Sequence, residues 1–154
     1  MKSFIFFLPI FLIFLNYHLK SQQQYEYCVI TTVESIIPGG LGRSRLIHAT
    51  EDLDYRNFTT HRQNDKDSKQ KNIEKSDLKI ENFYETKLLN LFSLVGINFQ
   101  NIASNDAIIT SKLNDMAKDG WELIFVTSSV ESHCGKDDEQ GIFLTRYIFR
   151  RPIK

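Results

Sequence analysis

The sequence predicts an α+β domain in which a small antiparallel sheet, in the order β-β-α-α-β-β, carries two helices packed on one face. Three observations predict it. Segments rich in aromatic and β-branched residues lie toward both ends of the chain, and two segments with apolar residues at three- and four-residue spacing lie between them. Glycine-rich or polar runs of hairpin length separate the strand-like segments. The composition agrees with a single ordinary globular domain: 154 residues, 42% hydrophobic and 25% charged.

Residues 1–21 read as a signal peptide. Lys2 precedes an apolar run from Phe4 to Leu15 broken only by Pro9, and polar residues take over from Asn16. The run is too short to span a bilayer but has the length of a secretory core. Leu19 and Ser21 suit the positions before a cleavage site, so residues 22–154 form the expected mature domain, exported to the periplasm or the extracellular space. The membrane then enters only through the export signal. Removing Lys2 and Lys20 from the 19 basic residues leaves 17 against 19 acidic ones, a net charge of −2. That balance offers no electrostatic drive toward nucleic acid.

Tyr25 to Val33 alternates, with Tyr25, Tyr27, Val29 and Val33 on one face, which predicts a strand. The turn-forming run Ile36–Gly42 follows, and Arg43 to Thr50 predicts a second strand paired with the first. Glu51 to Asp77 is polar with charges of alternating sign, a surface excursion expected to be mobile. Leu78 to Val95 places Ile80, Tyr84, Leu88, Leu91 and Val95 at helical steps, with Asp77 as N-cap and Gly96 as the terminating glycine. A second helix is expected from about Asp106 to Lys118, capped by Ser104 or Asn105, with Ile109, Leu113 and Met116 inward and Gly120 as its stop. Trp121 to Val130 and Ile142 to Arg150 predict two late strands joined by the polar loop Glu131–Gly141.

Two resemblances overlie this reading. The run Leu113-Asn114-Asp115-Met116-Ala117-Lys118-Asp119-Gly120-Trp121-Glu122-Leu123, the closing Tyr147-Ile148-Phe149-Arg150-Arg151-Pro152 and the opening Tyr25-Glu26-Tyr27 resemble a widespread bacterial domain of unknown function with a Gly-Trp-Glu-Leu strand. Pro38–Arg45, Glu85–Asn90 and Gly96–Asn101 make most of the mature chain similar to a group of uncharacterised exported bacterial proteins. Neither resemblance implies an activity, so neither carries over a catalytic residue. The Gly-Trp-Glu-Leu element also has a physical reading: Gly120 ends a helix in a left-handed conformation, Trp121 folds onto the core, and Glu122 points the other way.

Each chemistry-bearing group has a bland counterpart. Gly39, Gly40 and Gly42 with Arg43 and Arg45 would suit an anion nest, but the loop leads into a strand rather than a helix, and a hairpin turn needs those glycines anyway. His133 and Cys134 lie among carboxylates, yet zinc needs two further ligands and no paired ligand spacing supplies them. Cys134 with His48 or His61 is the remaining nucleophile–base pairing, without an accompanying elbow motif. Cys28 and Cys134 allow one disulfide, or one buried and one exposed thiol. Asn98, Gln100 and Asn101 sit in an amide-rich connector that either pins the backbone or lines a ligand pocket. Together with Arg43 and Arg45 they form the candidate ligand-binding set. No catalytic residue, metal or cofactor is expected. The favoured function is a non-catalytic exported binding or interaction domain with an unidentified protein or small-molecule partner. The alternative is a small periplasmic enzyme or metal-binding protein using the His133-Cys134 loop.

Overall fold

A computed structural model describes residues 23–37, 44–64, 68–130 and 142–153. Their centre is a five-stranded antiparallel sheet built from β1 (Tyr25–Ser35), β2 (Arg45–Ala49), β3 (Phe83–Lys87), β6 (Glu122–Val130) and β7 (Ile142–Pro152), in the spatial order β3-β2-β1-β7-β6. A separate two-stranded hairpin, β4 (Phe92–Ser93) and β5 (Gly96–Ile97), leads into the single described helix α1 (Phe99–Lys118).

The core lies between α1 and one face of the sheet. Side chains alternate along each strand, so Cys28, Ile30 and Thr32 of β1 share a face with their register partners Phe149, Tyr147, His48 and Leu46. On α1, Asn105, Ile109 and Met116 recur at helical spacing and are buried against that face. Ile30, Leu46, Leu88, Ile109, Met116 and Phe149 form the buried cluster, with Trp121 and Leu113 packed around it.

The helix termini explain its length. The Asn98 side chain accepts from the Asn101 backbone N–H at 3.1 Å and caps the start. At the other end the Trp121 N–H donates to the Met116 carbonyl and the Gly120 N–H to the Ala117 carbonyl, with Gly120 at φ +83. This is a Schellman closure, which needs a left-handed residue where Gly120 stands. Trp121 is thereby turned onto the core, and the Arg151 guanidinium stacks 4.4 Å from its ring centroid. Glu122 faces the other way and pairs with Arg150 at 2.8 Å.

The expected α+β arrangement with two helices on the sheet is corrected: the described residues are mostly β, with one helix on a five-stranded antiparallel sheet. The segment 78–95 is not helical. Its apolar residues do not share a face, since Leu88 is buried while Tyr84 and Val95 are exposed. Phe83, Tyr84 and Thr86 are strand formers, and the free edge of β2 offers their backbone a five-pair ladder from Arg45↔Lys87 to Ala49↔Phe83. Gly96, expected to terminate that helix, instead serves the β4–β5 hairpin at φ +130. The expected second helix exists but begins at Phe99, because Asn98 rather than Ser104 or Asn105 provides the cap. The described parts of residues 51–77 contain two short 3₁₀ turns, Tyr55–Phe58 and Lys69–Asn72, and otherwise irregular, largely exposed chain. No described helix is long and apolar enough to cross a membrane.

Candidate functional site

From Leu88 to Asn105 the chain carries no charged residue. Its first five residues form a pedestal held by asparagine side chains. Asn105, fully buried, accepts from the Leu89 N–H at 2.7 Å and donates to the Leu89 carbonyl and to Glu34, each at 2.9 Å. Asn90 donates to the Ile37 carbonyl and accepts from the Phe92 N–H. Asn101 donates to the Asn90 carbonyl at 2.7 Å. Backbone bonds from Leu88 to Ser44, Leu91 to Ser35 and Asn98 to Leu91 complete the frame. An amide can satisfy a backbone donor and acceptor together, so asparagines substitute for ladder bonds where the chain runs irregularly.

The hairpin stands on this frame. Phe92 pairs with Ile97 and Ser93 with Gly96, leaving Leu94 and Val95 at the turn. Leu94 is 94% and Val95 98% exposed; Ile97 and Phe99 beside them are 57% and 78% exposed. Four large apolar side chains thus project from a rigidly bonded base, where a tight turn would ordinarily carry polar residues. The hairpin sits at the end of the sheet where β1 finishes, β2 and β7 begin and β6 finishes, as the pairs Ser35↔Ile142 and Val130↔Phe143 show.

The candidate ligand-binding residues fall as follows. Asn98 and Asn101 spend their amides on the cap and on Asn90, and Gln100 is exposed on the first turn of α1. Arg45 is paired with Glu85 at 3.5 Å and donates to the Ser44 carbonyl. Arg43 lies outside the described residues, as do His133 and Cys134. Asn98 and Asn101 of the amide connector thus bond backbone groups, one of the two readings the sequence leaves open for it. The apolar tip it supports was missed, because Val95 falls on the expected helix stripe and Leu94 lies within the same expected helix.

A second convergence was also unexpected. Cys28 Sγ lies 3.4 Å from His48 Nε2 on the helix-facing side of the sheet, and His48 Nδ1 is buried with no described hydrogen-bond partner. Burial pushes the Cys28 thiol up, only partly offset by Lys112 and Arg151. Burial, and then Lys112, pushes the His48 imidazole down. Both directions favour a neutral thiol beside a neutral imidazole, the opposite of the thiolate–imidazolium pair of an activated nucleophile. Cys28 is a free thiol; its suggested disulfide partner Cys134 lies outside the described residues. His61 is exposed. No group of three or more metal-ligating side chains occurs among the described residues.

Comparison of the chain with protein-family models, curated proteins and solved structures finds no match.

Proposed function

We propose that this chain is a non-catalytic, exported binding domain that docks through the apolar tip of the β4–β5 hairpin and the start of α1. The observation that carries the reading is the near-complete exposure of Leu94 and Val95 on an asparagine-braced base. Exposed aliphatic groups contribute nothing to folding where they stand. Each would contribute roughly 1.5–3 kcal/mol if fully buried against a partner. Pre-bonding of the pedestal reduces the ordering cost of that association. The lack of charge from Leu88 to Asn105 selects a partner with an apolar crevice rather than a charged groove. The neutral Cys28–His48 pair supports the non-catalytic part of the reading.

A photoreactive residue placed at Leu94 or Val95 tests this in the native compartment. Adducts are expected from both positions and not from Lys79, which is exposed ahead of β3. The double change Leu94→Ser, Val95→Ser should abolish adducts formed from Phe99 while leaving the unfolding midpoint unchanged. Adducts that survive the double change, or equal yields at Lys79, would sink the hairpin as the contact surface.

A further inference from the structure

The β6 edge of the sheet has a different character. β6 hydrogen-bonds to β7 on one side and is an outer strand of the sheet. An outer strand presents a row of unpaired donors and acceptors, and proteins ordinarily blunt it with charge, proline or shortness. β3, the other edge, follows that rule: it has five residues, among them Glu85 and Lys87, with Glu85 tied to Arg45. β6 has nine residues, no proline, and no charge after Glu122, which Arg150 already neutralises. Every residue of it is exposed, including Leu123, Ile124, Phe125 at 58%, Val126 and Val130. Among the described residues the one blunting device is a bulge between Leu123 and Phe125, and the ladder is regular from Phe125 onward.

We infer that β6 pairs antiparallel with β6 of a second copy of this chain, joining two five-stranded sheets across a two-fold axis. Two observations select a second copy over another partner. The strand is self-complementary in size. An antiparallel pairing centred on Thr127 sets Phe125 opposite Ser129 of the second copy and Val126 opposite its Ser128, large against small on each face. No like charges meet along the paired stretch, so nothing opposes self-association. The apolar row on the sheet's open face also ends at this edge. It runs from Phe83 through its partner Ala49, past Val29 and its partner Ile148, to Phe125.

Taking roughly 150–200 Å² as the full surface of each large apolar residue, those of β6 leave about 400 Å² exposed per copy. Edge pairing covers the flank of that surface, less than the roughly 800 Å² per partner of a standard interface, so the backbone ladder carries the association.

Sedimentation velocity on the purified protein, at concentrations up to about 100 μM, reads the result. A dimer is expected, and Thr127→Lys should weaken it at least about tenfold by setting like charges opposite one another at the axis. Ser128→Lys, on the other face, should act in the same direction. Mixing Thr127→Lys with Thr127→Glu should restore a heterodimer. Circular dichroism of each variant separates lost pairing from lost folding, and the mixing arm reports on pairing alone. A protein monomeric throughout this range would overturn the inference, and so would a dimer indifferent to Thr127→Lys. A dimer abolished by Leu94→Ser instead would reassign self-association to the hairpin.

Discussion

Asn105→Ala should be among the most destabilising single changes available outside the apolar core. The wild-type side chain is fully buried and makes three hydrogen bonds, two of them to the backbone of Leu89. Truncation leaves the Leu89 N–H and carbonyl without those partners and strips a donor from Glu34. An abandoned buried polar group costs about 1–3 kcal/mol, and a water entering the vacated space recovers part of that. A net loss of about 3 kcal/mol follows, which at a urea dependence of about 2 kcal/mol per molar lowers the midpoint by roughly 1.5 M. Urea unfolding followed by circular dichroism measures it, with the slope expected to stay constant. Asn105→Asp sharpens the test. The introduced carboxylate can still accept from Leu89, but it faces the Glu34 carboxylate where a donor stood. Its folded pKa is therefore raised, so the lost stability should return as pH falls below neutral and the new group takes a proton. A loss under about 1 kcal/mol for Asn105→Ala, or a flat pH profile for Asn105→Asp, would refute the pedestal.

Gly120→Ala should lower the melting temperature by several degrees. The added methyl meets Arg151 Cδ at an ordinary 3.6 Å, so the penalty is the φ of +83, about 1–2 kcal/mol; an unchanged melting temperature in calorimetry would argue against the Schellman closure. His48 should make the fold acid-sensitive. Its pKa is lowered by burial and Lys112, so its contribution is complete above the ordinary histidine range and is lost as pH falls through it. Urea midpoints between about pH 7 and about pH 5 should fall in the wild type and flatten in His48→Gln, and equal slopes in the two would dismiss the assignment.

The strands at the two ends of the chain were legible because alternation and turn chemistry agree there. The Tyr25 strand, its pairing with the Arg45 strand and the late hairpin all stand within two residues of their expected limits. The Gly-Trp-Glu-Leu corner was legible for a stronger reason, since one glycine does a job no other residue does cheaply. The stretch from Leu78 to Val95 misled because apolar spacing alone does not say which faces are covered. Its true partners, the edge of β2 and the amides of Asn90, Asn101 and Asn105, lie on other segments. The same limit hid the Cys28–His48 contact, which depends on a cross-strand register that places residues twenty apart side by side.

The longest ladder in the sheet joins β1 to β7, eleven register pairs from Tyr25↔Pro152 to Ser35↔Ile142, and it occupies the middle of the sheet. A ribosome therefore delivers the two halves of the central seam far apart in time, with β2, β3, α1 and β6 made between them. Until β7 emerges, β1 has only β2 beside it, and Phe149, the largest fully buried side chain, is absent. Closing so distant a pairing is slow relative to local contacts and concentrates the folding barrier in a late, all-or-none step. A sheet built this way stays open along its centre until β7 arrives, and closes when it does.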